Sequence, residues 1–334
     1  MRITNNMLVN NMVCNLNQNL RALEKLQYQK ATGKKFKVPS DDPIGVSKSL
    51  KFNTDLSKLE QYKRNVTDAR SWMIDTEAAL DVIGKVLKRA YELTVDASNG
   101  TKTTEDLKKI EEEIAQLREE LVQVGNTTHA DRHIFSGYKT DEKLFDEDGN
   151  YNINLTMKDD KNATDETKKK AEIFEYNIGV SETVKVNTLG GKVFGVAKYD
   201  DNLLSPDYTS NIEKYDEANQ KGNKPYLIAV FDELSDALTD NNQDIIQKSI
   251  TRLQECTEQV LAVRSEVGAK MNRLDLTEKK LGVQIEGVTE LLSYNEDVDM
   301  AEISMQIAMA ENVYISSLMT GAKVIQPTLV EFLR

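Results

Sequence analysis

The stretch LEQYKRNVTDARSWMIDTEAALDVIGKVLKRA, residues 59–90, decides the fold of this chain. Its apolar and small side chains recur at alternating steps of three and four residues: Leu59, Tyr62, Val66, Ala69, Met73, Thr76, Leu80, Ile83, Leu87 and Ala90. This spacing predicts one long helix with a narrow seam that packs against partner helices. We expect the helix to begin near Pro43, after cap candidates at positions 40–42, and to end at Asn99-Gly100.

Two more seams follow along the chain. Thr103 and Asp106 fit a capping box before a second helix, whose seam is Leu107, Ile110, Ile114, Leu117, Leu121 and Val124. In the last third of the chain every seventh position is apolar: Ile246, Leu253, Val260, Val267, Leu274, Leu281 and Val288. Because isolated helices are marginally stable in water, we expect the two ends of the chain to pack together as one body.

The terminal segments carry similar stripes that polar residues interrupt. The stripes consist of Ile3, Met7, Val13, Leu16, Leu20 and Leu23 near the start, and of Ile303, Ile307, Ala310, Tyr314 and Leu318 near the end. Asparagines at positions 5, 10, 11, 15 and 17 interrupt the first stripe, and Glu302 and Gln306 interrupt the second. We predict that these apolar residues form an assembly surface, which partner chains complete in the manner of a coiled coil.

The middle of the chain, residues 141–225, has a different pattern. DEDGNYNINLTM (146–157) predicts a turn at Asp148-Gly149 and then a strand with alternating Tyr151, Ile153, Leu155 and Met157. The segments IFEYNIGV and ETVKVNTLGGKVFGVA predict further strands, separated by glycine turns. The predicted fold is therefore mainly α. Both ends of the chain form a rod of long antiparallel coiled-coil helices, with an inserted small β-rich domain.

The composition excludes several classes of protein. The net charge of −12 argues against nucleic acid as a partner. No run of about 18 apolar residues is present for crossing a membrane, and the first twenty residues lack the apolar core of a secretory signal. The two cysteines, Cys14 and Cys256, provide no disulfide framework, and we expect both to act as small, partly buried apolar residues.

Sequence motifs for chemistry are weak. His129 and His133, which we expect on one face of a helix, have the spacing of a zinc pair but lack a third ligand. The segment DEDGN resembles part of a calcium loop, but Leu155 stands where the closing Glu belongs. In GGKVFG (190–195), Val193 replaces the Ser or Thr of a phosphate loop. We therefore predict no catalytic, cofactor-binding or metal-binding residues.

Several segments in combination resemble the flagellin and hook-associated protein family of bacterial flagella. They are MRITNNMLVNNM (1–12), KKFKVPSDDPIGVSKSL (34–50), HADRHIFSGYKTDEKLF (129–145), VNTLGGKVFG (186–195), RSEVGAKMNRLD (264–275) and the end from residue 301. Arg132, Phe135, Ser136 and Gly137 stand in positions that the family favours, at the turn from the rod to the outer domain.

The resemblance implies three parts. Residues 1–42 and 299–334 would be terminal coiled-coil helices that are disordered in the isolated protein. Residues 43–140 and 226–298 would form a helical rod domain, and residues 141–225 a β-rich outer domain. The resemblance also implies an extracellular place in the flagellum and export through the flagellar type III apparatus, without a cleaved signal peptide.

The implied partners are other flagellar proteins. They are copies of this chain in a ring, a hook-associated protein on the hook side, and a second junction protein or flagellin on the filament side. An export chaperone would hold the C-terminal helix.

Within the family, FSGYKT, VNTLGGKVFG and the ending LVEFLR favour a protein that joins hook to filament. Flagellin is the alternative, and an unrelated coiled-coil fibre is a more distant one.

Overall fold

The computed structural model describes residues 5–99, 102–137, 139–153, 174–200, 203–207 and 223–325. In these ranges the helices are α1 (Asn5–Thr32), α2 (Pro43–Ser98), α3 (Thr104–Gly125), α4 (Gly190–Phe194), α5 (Tyr226–Thr239), α6 (Gln243–Glu296) and α7 (Met300–Ile325). Antiparallel pairs join β1 (Thr128–His129) to β2 (Arg132–His133), β3 (Glu175–Asn177) to β4 (Thr183–Lys185), and β5 (Val196–Asp200) to β6 (Leu203–Asp207). The predicted mainly α fold is confirmed.

Side-chain caps fix the starts of two helices. Asp42 Oδ1 accepts hydrogen bonds from the N–H groups of Ile44 at 3.1 Å and Gly45 at 2.9 Å, at the start of α2. The Thr103 hydroxyl accepts a hydrogen bond from the N–H of Asp106 at 3.3 Å and donates one to the Asp106 carboxylate at 2.7 Å. These oxygens satisfy N–H groups that have no partner inside the helix, so both predicted starts are confirmed.

The chain divides into two compact units. Unit 1 comprises Met1–Glu60 and Val283–Arg334, and unit 2 comprises Gln61–Gly282. The long helices α2 and α6 contribute residues to both units. The three-part division predicted from the sequence, with its bounds at 42, 140, 225 and 298, stays a prediction.

The predicted seams form the core of unit 2. From Val66 to Ala90 the α2 seam is buried, and so are the α6 seam residues from Ile246 to Leu281. Ion pairs join the two helices beside the seam, where Arg264 contacts Glu77 at 2.6 Å and Asp81 at 2.7 Å. The narrow stripe of each helix is therefore covered by other helices of the same chain.

An aromatic cluster anchors the inserted region. The Phe145 ring meets the Phe194 ring edge to face, with centroids 4.8 Å apart, and Phe135 meets Phe194 at 5.8 Å. The predicted turn is confirmed, because Gly149 has φ +82° and its N–H donates to the carbonyl oxygen of Asp146 at 2.9 Å. Tyr151 follows and is buried. The predicted strand continues through Leu155 and Met157, which lie outside the described residues.

Three local predictions are wrong. The segment Gly190–Phe194 forms the short helix α4 where a strand was predicted, and this turn buries Val193 and Phe194 together. His129 and His133 lie on β1 and β2, because α3 ends at Gly125. A tight turn with positive φ at residues 130 and 131 then reverses the chain. Cys256 is buried, but Cys14 is exposed where partial burial was predicted.

The aromatic cluster leads to a test of unit 2. A Cβ added at Gly125 would overlap the Phe145 ring and lie 3.3 Å from Phe194. We expect Gly125→Ala to lower the free energy of unfolding by about 1–3 kcal/mol, because overpacked cores displace their neighbours. Thermal unfolding followed by circular dichroism measures this.

Gly282→Ala is the matched control. No atom lies within 4 Å of a Cβ at Gly282, inside helix α6. Alanine there should leave the unfolding temperature unchanged or raise it, since alanine is the better helix former. Equal melting curves for the two variants would contradict the described packing.

Candidate assembly surface

The two ends of the chain pack together as helices α1 and α7 of unit 1. On α7, Ile303 and Ile307 are buried, and Ala310 and Tyr314 are half-buried one and two turns further on. These positions follow the alternating steps of four and three residues that place side chains on one helix face. On α1 the facing stripe includes the half-buried Leu16.

A close contact that the sequence analysis missed lies near the other end of this pair. A Cβ at Gly321 of α7 would overlap the Met12 side chain of α1. Glycine here lets the methionine lie directly on the α7 backbone. The sequence did carry a signal for this contact. Gly321 is the seventh residue after Tyr314, so it continues the heptad spacing of the α7 face that contacts α1.

A backbone ladder, here called the clasp, joins Gly33–Lys35 to Glu296–Val298. The N–H of Lys35 donates to the carbonyl oxygen of Glu296 at 2.7 Å, and that of Val298 donates to the carbonyl oxygen of Gly33 at 3.0 Å. Gly33 has φ +70°, a conformation that favours glycine where a helix stops. The clasp fixes where α7 begins relative to the end of α1.

Charges reinforce the clasp. The Lys34 ammonium lies 2.8 Å from Glu296 and 2.8 Å from Asp297. Hydrogen bonds to Asp297 and then to Glu296 raise the pKa of Lys34. Hydrogen bonds from Lys34 and then from the Ser293 hydroxyl lower the pKa of Asp297. A positive charge from the first part of the chain therefore meets two negative charges from the last part at this point.

The outer face of α7 is apolar and uncovered in the single chain. Ala301, Met305, Ala308, Asn312, Ile315 and Met319 follow a second series of four- and three-residue steps, roughly opposite the face that contacts α1. Seven large apolar side chains of α7 are 42% to 65% exposed: Met300, Met305, Met309, Val313, Ile315, Leu318 and Met319. Clustered exposed apolar side chains of this kind mark an interaction surface.

The predicted assembly residues divide into two groups. The α1–α7 contact brings together the residues that are buried or half-buried: Leu16, Leu23, Ile303, Ile307, Ala310 and Tyr314. Four others remain exposed: Met7, Val13, Leu20 and Leu318. Ile3 lies outside the described residues. The outer α7 face was not predicted, although its second series of apolar steps was visible in the sequence.

The predicted turn residues lie beside the aromatic cluster of unit 2. Phe135 is fully buried, and its carbonyl oxygen accepts a hydrogen bond from the N–H of Gly190 at 2.9 Å. Gly137 has φ +68°, and a Cβ there would lie 2.9 Å from Leu189. Arg132 is exposed on β2. Phe135 and Gly137 thus hold the chain against α4, whereas Arg132 takes no part in that packing.

Among the described residues, no group of three or more histidine, cysteine, aspartate or glutamate side chains has the arrangement of a metal site. In the same part of the chain, no helix has the length and apolar character needed to span a membrane.

The fold and this surface define a protein of long helices whose paired ends present an uncovered apolar face. The model of the bacterial flagellin N-terminal helical region matches residues 3–140. The model of the flagellin C-terminal helical region matches residues 250–333. The chain belongs to the flagellin family, so the resemblance stated from the sequence is confirmed.

Individual relatives include a hook-associated protein and a flagellin, the two kinds of flagellar protein considered from the sequence. Flagellar hook-associated protein 3 of Escherichia coli K12 is 27% identical, over 84% of this chain and 86% of its own. Flagellin of Bacillus subtilis 168 is 26% identical, over 90% of this chain and 89% of its own. The crystal structure of the flagellar junction protein FlgL from Legionella pneumophila has a similar fold. Its TM-score is 0.51 at 17% identity, covering 75% of this chain and 99% of that chain.

The clasp leads to a test by pH. The carboxylate of Asp297 has a lowered pKa, so its stabilising effect is present above the ordinary value and is lost as pH falls through the lowered one. Lys34→Ala should therefore speed hydrogen exchange at the amides of Lys35 and Val298 near neutral pH. The difference should vanish in strong acid, where wild type has also lost the pair.

The expected effect is modest, at most about 1 kcal/mol, because the pair is half-exposed and screened by solvent. Lys30→Ala is the control, since Lys30 is an exposed lysine in the last turn of α1. A Lys34→Ala profile that matches that of Lys30→Ala at every pH would refute the role of the ion pairs.

Proposed function

We propose that this chain is a structural, non-enzymatic subunit of the bacterial flagellum, which joins hook to filament by assembling with copies of itself. The observation that carries this proposal is the uncovered apolar face of α7. A helix that is apolar on two opposite faces needs partners on both. Helix α1 covers one face, and the other is left for neighbouring chains.

The energetics support assembly through this face. Burying a large apolar side chain fully contributes about 1.5–3 kcal/mol. Several such residues together contribute a free energy of the same order as the cost of associating two chains, which is about 4–15 kcal/mol. Asn312 lies within the apolar series, and a single polar residue in a coiled-coil seam selects one register among neighbours.

The terminal stripes predicted from the sequence belong to the same proposal. We assign the exposed residues Met7, Val13, Leu20 and Leu318 to contacts between chains. The buried and half-buried members of the stripes hold α1 on α7 and so shape the surface offered to neighbours. Ordering of the terminal helices on assembly is part of the proposal.

Three segments support a junction role in preference to a filament role: FSGYKT, VNTLGGKVFG and the ending LVEFLR. Two relatives also support the junction role, because one is described as a hook-associated protein and the other as a flagellar junction protein. Flagellin is the second candidate. The flagellin of Bacillus subtilis is 26% identical over 90% of this chain, and the hook-associated protein of Escherichia coli is 27% identical. The proposed neighbours are a hook-associated protein on one side and a second junction protein or flagellin on the other.

The remaining parts of the proposal concern place and export. The protein would act outside the cell, in the flagellum, after export without a cleaved signal peptide. A chaperone would hold the C-terminal helix before export, which fits the exposed apolar side chains of α7. Residues 43–140 and 226–298 would form the rod domain, and residues 141–225 the outer domain.

Charged substitutions on the outer α7 face test the assembly surface. We expect Met305→Asp with Ile315→Asp to abolish assembly, because a carboxylate buried in an apolar seam loses its hydration. Unit 2 should keep its unfolding temperature. The stripes predicted from the sequence give a second pair, Leu20→Asp with Ile307→Asp, which should also prevent assembly. Sedimentation of the purified full chain and microscopy of cells that carry the variant measure both effects.

Ser304→Asp is the matched control for the α7 substitutions. Ser304 is exposed, and the residue one heptad later, Glu311, already places an exposed carboxylate at the equivalent position of α7. Assembly should survive this change. Stable filaments on cells that carry either double substitution would contradict the proposed role of this surface in assembly.

Deleting the gene separates the two candidate functions. For a junction protein we expect bare hooks and soluble flagellin monomer in the growth medium, seen by electron microscopy and by analysis of the medium. Intact filaments on the deletion strain would exclude the junction role and favour a minor flagellin.

A further inference from the structure

An open groove runs between α2 and α6 in unit 2. Its volume is about 640 Å³, and Gly84, Val260 and Leu261 contribute to its lining. At one point along it Gln254 Nε2 donates a hydrogen bond to the Tyr91 hydroxyl at 3.2 Å. The groove therefore lies beside the buried seam that joins the two helices.

The glycine in this groove has no role in the packing of the single chain. A Cβ at Gly84 would meet no atom within 4 Å, and the same holds at Gly268, one heptad after Leu261. Both glycines lie inside long helices, where alanine is more favourable. Glycine at such positions permits another backbone or a large side chain to approach closely.

The groove also carries charge on both rims. Lys88 is exposed on the α2 rim and Glu258 on the α6 rim. Neither has an ion-pair partner among the described residues. Leu261, which lines the groove on α6 about one turn after Glu258, is 54% exposed. The three features together define an incomplete interface, here called the α2/α6 groove.

We propose that the α2/α6 groove receives the α6 rim of a second, parallel copy of this chain. Glu258 of the incoming copy then pairs with Lys88, and its Leu261 lies over Gly84. This inference rests on the proposed function, because it places a lateral contact between assembled subunits.

The charges of the rims favour this occupant. Glu258 and Lys88 line the same groove and so stand at about the same height along the helices. Parallel copies placed side by side therefore bring opposite charges together, whereas antiparallel copies with α2 against α2 bring like charges together. The contact joins two different surfaces, and repetition of such a contact closes a ring when the rotation permits.

Substituting the glycine tests the fit without weakening the fold. Gly84→Leu fills the groove with a better helix former, so the monomer should unfold at the same or a higher temperature. Its assembly should require a concentration at least roughly tenfold higher, a change of about 1.4 kcal/mol. Gly282→Leu is the matched control, because a Cβ there also meets no atom within 4 Å but Gly282 does not line the groove. Sedimentation of the purified full chain measures both variants.

Exchanging the charges tests the orientation. Lys88→Glu and Glu258→Lys should each weaken assembly, and the double variant should restore it. Two variants with one introduced cysteine each, Lys88→Cys and Glu258→Cys, both made with Cys14→Ala, should form a disulfide-linked dimer only when they are mixed and oxidised. Cys256 is buried and can remain.

The outcomes separate this inference from the proposed function. It is overturned if Gly84→Leu assembles as wild type does, if the charge exchange fails to restore assembly, or if the mixed cysteine variants stay unlinked. If the Met305→Asp, Ile315→Asp double variant nevertheless fails to assemble, the proposed role of the α7 surface is still supported. Normal assembly of the α7 variant would count against the proposed function itself.

Discussion

A long, thin helix cannot bury its own apolar seam, and this constraint shapes the whole protein. Each seam has to be covered by another helix, either of the same chain or of a neighbour. In unit 2 the chain meets this requirement internally, since the seams of α2 and α6 are buried. In unit 1 helix α7 has two apolar faces, and α1 covers only one of them. The uncovered face connects the fold to the proposed assembly.

The composition of the uncovered face suits a subunit that contacts more than one kind of neighbour. Two of its residues, Met305 and Met319, are exposed methionines, and two more exposed methionines, Met300 and Met309, lie beside it on the same helix. Methionine side chains are unbranched and flexible, so they pack against surfaces of different shape. An adaptor between hook and filament would need this property. A face of rigid, branched side chains would fit one neighbour well and another poorly.

Local devices connect the chain ends to this surface. The clasp brings together residues that are more than 260 positions apart in the sequence, through Lys34 and Asp297. Gly33 ends α1 and Gly321 admits Met12, so two glycines set the direction and the closeness of the same helix pair. The free energy of each device is small, but together they decide which face of α7 is covered and which is left open.

By itself, the sequence determined the long helices, their caps and their seams. The steps between Val66 and Ala90, the aspartate at position 42 and the Thr103 cap act over a few residues, so their effect does not depend on distant contacts. Only the tertiary structure decided the helix at Gly190–Phe194, because aromatic contacts outweighed the local preference for a strand. It also decided which terminal residues are covered, since Leu16 and Leu20 look alike in the sequence and differ only in where α7 lies. Burial is a property of pairs of helices, and one helix's pattern does not say which partner covers it.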